Sequence, residues 1–281
     1  MLSLSRDDAD CFVPDGADPR RALERTTHLG VGAHQDDLEI LAAHGILQCF
    51  GSAEAWFTGV VACDGANSPR SGPYRDYDAG RMAETRRSEQ RKAALVGEYS
   101  AQLQLAHPSA EVRRRSDAVV RDLAEVLLVT RPGVVYTHAL SDRHETHVAV
   151  VLSVIDACRR LAPDLRPRRL LGCEVWGDLD WLAAADKVEL PLGETEPLQA
   201  ALLGVFDSQL AGGKRYDLAT LGRRRAHATF SESHAVDRHS ALGYAMDLTP
   251  LLGGGEPAEL LRELIRRFEA EAAARLSSPA S

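Results

Sequence analysis

This 281-residue chain predicts a three-layer α/β fold with a mostly parallel sheet, on three observations. Short apolar runs alternate with stretches of helical periodicity, the pattern of successive βαβ units. Two strand-to-helix junctions carry clusters of histidine and carboxylate, where an open parallel sheet presents its reactive groups. Composition is ordinary for a globular protein, 44% hydrophobic and 26% charged, enough for one large core or two small ones.

In chain order, residues 1 to about 24 form a polar, Asp-rich lead with Pro14 and Pro19, expected as an extension packed on the surface. His28 to His34 reads as a buried strand, and Leu38, Ile40, Leu41, Ile46 and Leu47 mark the helix after it. Trp56 to Cys63 is a second strand, running into a loop from Asp64 to Gly80 that far exceeds the usual connection of about four to six residues. Helices follow over about 80–99 and about 111–130, with Arg86, Arg87 and Arg91 expected on a solvated face. Gly133 to His138 is a strand, Ser141-Asp142-Arg143 a turn, and Val148, Val151, Leu152 and Ile155 one face of a helix. Asp142 and Glu145 have capping-box spacing, with Asp in the Ser/Thr position.

Leu170 to Val175 is another strand, and Pro197 to Leu210 a helix. The Arg223-Arg224-Arg225 run is expected in solvent. Gly253-Gly254-Gly255 and Pro257 break the chain before a final amphipathic helix, where Leu261, Leu264, Phe268, Ala272 and Leu276 recur. That stripe suits core packing; a subunit interface in a homo-oligomer is the alternative.

The two junctions carry the chemistry. Gly32-Ala33-His34-Gln35-Asp36-Asp37 ends one strand, and His144-Glu145-Thr146-His147 opens a helix about a hundred residues later. Histidines three apart on a helix share a face, so His144 and His147 reach one small volume. Adjacent carboxylates on a turn point in different directions, so one of Asp36 and Asp37 can hold a metal while the other handles a proton. A catalytic zinc ion needs three protein ligands and one open position, and these residues supply enough donors.

At these positions the chain resembles the PIG-L or LmbE-like family of zinc-dependent de-N-acetylases, whose first motif is Ala-His-Pro-Asp-Asp and whose second ends in His-x-x-His. Gln35 stands in place of the motif's proline, every ligand position remaining filled. Arg86-Arg87-Ser88-Glu89 is similar to the family's Arg-x-x-Glu helix, and Asp207-Ser208-Gln209 to its His-x-Ser-Gln segment, so the resemblance spans about 28–235. It implies a Rossmann-like (LmbE-like) fold in a domain over 25–281, with a core to about 180 and a smaller C-terminal part from about 181. It also implies one zinc ion per chain held by His34, Asp37 and His147, with Asp36 as general base. His144, if protonated, would stabilise the oxyanion, and either Asp36 or His144 could protonate the leaving amine. Arg86 joins Glu89 in holding the site and is also a candidate substrate contact. The implied substrate is an N-acylated, in the first instance N-acetylated, amino-sugar-containing small molecule or a related conjugate. Tyr74, Arg75 and Tyr77 of the long loop could stack on or hydrogen-bond the sugar, a solvated loop being the alternative. His44, seven residues past Asp37, reads as a hydrogen-bonded helix histidine, the alternative being a group behind the metal ligands or a substrate contact; His227, His234 and His239 read singly as structural, though one of them could line the substrate pocket.

Two other classes compete. A nucleotide-binding oxidoreductase would need a third glycine opening the helix after Gly30-Val31-Gly32, where Ala33-His34 stands instead. A non-catalytic metal protein of the same fold would not require Asp36 and His144. The net charge of −8 argues against a nucleic-acid surface. Five widely spaced cysteines favour reduced thiols in a cytoplasm. No apolar stretch has the length of a signal peptide or membrane span, so neither export nor a membrane anchor is expected. Lysine occurs only at Lys92, Lys187 and Lys214, an arginine-rich usage that suggests a GC-rich, bacterial genome.

Overall fold

The computed structural model describes residues 2–193 and 195–277. The elements run β1 (Asp10–Phe12), α1 (Pro19–Glu24), β2 (His28–Gly32), α2 (Asp37–Leu41), α3 (Ala43–Cys49), β3 (Phe57–Cys63), α4 (Ala79–Val96), β4 (Ala101–His107), α5 (Ser109–Arg113) and α6 (Asp117–Thr130). The second half continues with β5 (Val134–His138), α7 (Glu145–Arg160), β6 (Arg169–Cys173), β7 (Val188–Pro191), α8 (Glu196–Gly204), α9 (Asp207–Leu210), α10 (Tyr216–Phe230), β8 (Leu242–Asp247) and α11 (Pro257–Ser277).

One sheet of eight strands, ordered β1-β4-β3-β2-β5-β6-β8-β7, organises the molecule. Strands β2 to β6 are mutually parallel, while β1, β7 and β8 join their neighbours antiparallel. The parallel strands start at β2 and wind outward first through β3 and β4, then through β5 and β6, so the strand order reverses between β2 and β5. Ligands bind at such a switch point, beyond the carboxyl ends of the strands. Here the crevice is also built into the ladder. β2 and β5 pair only from His28↔Val134 to Gly30↔Tyr136. Beyond that, side chains of β5 replace the backbone: Thr137 Oγ1 donates to the Val31 carbonyl (3.0 Å), and His138 Nε2 accepts from the Ala33 N–H (2.9 Å).

Residues alternate between the two faces of the sheet, which are covered separately. Leu29, Val31, Val135 and Leu170 pack with α6 and α7 in one core cluster. Phe57, Tyr136 and Leu171 pack with Leu41, Ile46 and Leu202 in the other. The three-layer, mostly parallel fold predicted from the sequence is the one observed.

Several expectations need correction. The lead contributes β1 to the sheet edge and places Ala22 and Leu23 in the core, so it is more than a surface extension. β4 is a fully buried strand in a stretch to which no element was assigned. The 111–130 helix is two, α5 and α6, because the backbone turns at Arg115 with φ 52°. The 197–210 helix likewise divides into α8 and α9. Of the apolar stripe on α11 only Leu264 is buried, because only the first turns of the helix reach the core; Leu276 is 89% exposed. Arg224 is buried rather than solvated, donating to Gln199 Oε1 (2.8 Å) and the Glu39 carbonyl (2.9 Å), so it ties α10 to α8 and α2.

Candidate active site

The β2–α2 turn and the start of α7 meet in the crevice. Nδ1 of His34 lies 3.3 Å from Nε2 of His147 and 3.4 Å from Oδ2 of Asp37, and His147 Nε2 lies 3.4 Å from Asp37 Oδ1. Zinc ligands sit about 2.0–2.1 Å from the ion, and the corners of a tetrahedron of that radius are about 3.3–3.4 Å apart. The two ring nitrogens have that separation, each has a different Asp37 carboxylate oxygen 3.4 Å away, and one ligand atom from each of the three residues lies within 4.8 Å of the others, so the three residues have the chemistry and proximity of a zinc site. Against the penalty of burial, His147 and His138 hold the Asp37 carboxyl well below the usual carboxylate range. Burial pushes His147 down to about 4. An ionised carboxylate and a neutral imidazole are the forms that bind metal. His34 is raised well above its ordinary value, the Asp37 carboxylate outweighing burial.

Asp36 takes a different direction, as its place next to Asp37 requires. Its backbone is left-handed, φ 91°. Its Oδ2 accepts from Arg86 Nη2 at 2.6 Å. Burial, opposed by Arg86 and reinforced by the Asp37 charge, pushes its carboxyl up to about 6. Arg86 is only 1% exposed, which overturns its reading as part of a solvated face. Its guanidinium also donates to Glu89 Oε2 (2.8 Å) and to the Gln35 carbonyl. Glu89 in turn accepts from the backbone N–H (2.7 Å) and hydroxyl (2.8 Å) of Ser208, so the Asp207-Ser208-Gln209 segment docks on the Arg86–Glu89 pair. Gln35 is buried and donates to the Cys63 carbonyl (3.3 Å) and Gln104 Oε1 (3.2 Å), tying the turn to β3 and β4 where a proline side chain could not.

The second junction is capped differently from expectation. Asp142 does not pair with Glu145: the N-cap of α7 is His144, whose Nδ1 accepts from the Thr146 N–H at 3.2 Å. Asp142 instead accepts from the His144 N–H (2.9 Å) and the Trp176 N–H (3.1 Å). With Nδ1 accepting, the hydrogen of neutral His144 resides on Nε2. The His144 ring is edge-on to His34 at 5.1 Å, and burial lowers its pKa.

His138, not singled out in the sequence, belongs to the same constellation. It is fully buried and stacks on His147 at 3.9 Å. The available signal was its place as the last residue of a strand, next to the strand that delivers His34.

A cleft of about 460 Å³ opens over these groups, with Trp176, Tyr216, Arg113 and Arg223 in its walls. The long loop lines it through Asn67, Ser68 and Pro69. Tyr74, Arg75 and Tyr77 lie outside that lining, because the loop folds back through a turn at Gly72–Tyr74 onto α9. There the Tyr74 hydroxyl donates to Asp207 Oδ2 (2.6 Å), Tyr77 stands edge-on to Tyr74, and Arg75 reaches the Gly72 carbonyl. His44 hydrogen-bonds the Tyr136 hydroxyl (2.9 Å); the helix breaks at Ala42, so it does not continue the Asp37 stripe. His227 is buried against Glu174 (2.9 Å), and His234 is exposed.

Residues 29–158 match the model of the PIG-L family, described as GlcNAc-PI de-N-acetylase. No curated protein matches the chain. Among solved structures, a conserved protein from Thermus thermophilus is 18% identical, with 80% of this chain and 95% of that one covered and a TM-score of 0.63. The N,N'-diacetylchitobiose deacetylase of Pyrococcus horikoshii is 14% identical, with coverage of 83% and 87% and a TM-score of 0.63. GalB, the 4-carboxy-2-hydroxymuconate hydratase of Pseudomonas putida, is 16% identical, with coverage of 79% and 96% and a TM-score of 0.59. These likenesses establish a shared fold. His34, Asp36, Asp37, His144 and His147, which line or border one crevice, all lie within the segment that matches the PIG-L family model.

Proposed function

We propose that the protein is a zinc-dependent hydrolase that removes an N-acyl group, acetyl in the first instance, from an amino-sugar-containing small molecule. The observation that carries this reading is the convergence of the His34, Asp37 and His147 donors within 4.8 Å of one another, flanked by two groups that a structural metal does not need, Asp36 and His144. One ion per chain is the proposed stoichiometry. No helix among the described residues is long and apolar enough to cross a membrane; a cytoplasmic location is part of the proposal.

When bound, zinc supplies polarisation of the substrate carbonyl and of the attacking water. Asp36 takes the water's proton as the oxygen adds to the acyl carbon. With its carboxyl near 6 it is ionised at neutral pH yet basic enough for that transfer. Arg86 holds Oδ2, so the proton is assigned to Oδ1. The Nε2–H of His144 donates to the oxygen that gains charge, and does so in the neutral ring, so a protonated imidazole is not needed. That ring then has no spare proton. Asp36 therefore returns the one it holds to the departing nitrogen as the C–N bond breaks, leaving amine and carboxylic acid.

The fold also houses a hydratase, so reaction class has to be tested directly. Metal content would be measured on the purified protein alongside amine release from N-acetylated sugars, with and without chelator. One zinc per chain and chelator-sensitive amine release are expected. Zinc without amine release from any N-acyl sugar would favour the binding or hydratase alternatives, and failure to bind zinc would remove the proposal.

A further inference from the structure

His138, Asp142 and His147 form a second, deeper set of donors, each offering one ligand-type atom within 4.8 Å of the others. By residue type alone they make a second metal site. The hydrogen bonds argue otherwise. Nε2 of His138 accepts from the Ala33 N–H, so its ring proton is on Nδ1 and neither nitrogen has a free lone pair. Nε2 of His147 faces His34 and Asp37, so a metal there leaves the proton of His147 on Nδ1. Nδ1 is buried without a hydrogen bond to any described residue, and Asp142 Oδ1 stands 3.2 Å from it.

Resting on the metal-centre reading above, we infer that Asp142 is a positioning residue whose carboxylate receives the Nδ1–H of His147, fixing the tautomer and ring orientation that present Nε2 to zinc. The same carboxylate accepts the backbone N–H of His144, which cradles the oxyanion donor, and that of Trp176, which forms the cleft wall. One buried anion thus aligns a ligand, an oxyanion donor and a substrate wall drawn from the β5–α7 and β6–β7 connections. Partners of this kind raise ligand basicity, and their loss commonly costs about 10–100-fold in metal affinity.

The test is Asp142→Asn, which keeps the volume but replaces one acceptor oxygen by a donor. Zinc affinity would be measured by competition with a chromophoric chelator, and the metal-free fold checked by circular dichroism. Expected are an unchanged metal-free fold, a Kd weakened about 10–100-fold, and partial rescue by Asp142→Glu. A Kd within twofold of the unaltered protein overturns the inference. Long-range ¹⁵N–¹H spectra of the unaltered, zinc-loaded protein provide a readout independent of how the variant folds: a proton on His147 Nδ1 is expected, and its absence overturns the inference. Binding of a second zinc equivalent that Asp142→Asn abolishes would likewise overturn it in favour of an inner metal site. Failure of the unaltered protein to bind zinc would instead sink the functional reading, a different outcome.

Discussion

The two segments that build the crevice, 33–37 and 142–147, are held in opposite ways. The first is braced from far along the chain. Asp36 sits in a left-handed backbone that costs an ordinary residue about 1–3 kcal/mol. Arg86, fifty positions away, holds its carboxylate, while Gln90 accepts from its N–H. Gln35 reaches β3 and β4. The second segment is largely self-supporting: His144 caps its own helix and Asp142 closes on the His144 N–H two residues on. A ligand that opens a helix can be aimed by that helix's cap. On the proposed roles, a base that must point away from the adjacent ligand needs outside support, and the buried Arg86–Glu89–Ser208 assembly holds the Asp36 carboxylate in that way.

The largest effect expected from this contrast is on turnover. Asp36→Asn keeps the left-handed turn, which asparagine tolerates, and an acceptor for Arg86. It should retain zinc while slowing amine release about 10²–10⁴-fold; a rate within threefold of the unaltered enzyme would take the base role from Asp36. Next is Arg86→Met, which leaves the buried Asp36 and Glu89 charges without their partner. Urea unfolding should show a loss of about 3–5 kcal/mol, and a loss below about 1 kcal/mol would mean that the first segment needs no brace. The smallest structural effect belongs to the local cap. His144→Ala should cost about 1 kcal/mol of stability with zinc retained, and a loss as large as that of Arg86→Met would erase the distinction between the segments.

How much of this was legible in the sequence follows the same division. The second junction announced itself through local spacing, and even there the cap fell to His144 because Asp142 is drawn to His147 and Trp176. The first junction's residues were visible, and the resemblance paired Arg86 with Glu89, but the local pattern placed Arg86 in solvent, since a helix of mean polar character offers no local sign that one arginine points inward. β4 was missed for a related reason. Ala101–His107 alternates glutamine with leucine, as a half-solvated strand would, yet every residue is buried. Gln102 and Gln104 meet Gln90 and Gln35 instead of water. Arg224 repeats the lesson, its charge buried among carbonyls and an amide that lie far away in sequence. Polar residues satisfied by distant polar partners read locally as surface.

The replacement of backbone pairing by Thr137 and His138 at the mouth of β2 and β5 has a further consequence. Past Gly30 and Tyr136 the gap between the strands is gauged by the length of two side chains instead of the fixed spacing of a ladder. A change at either position can widen or narrow the opening by fractions of an ångström while the sheet beneath stays in register. The aperture that separates His34 from His147 is therefore adjustable independently of the framework that carries it.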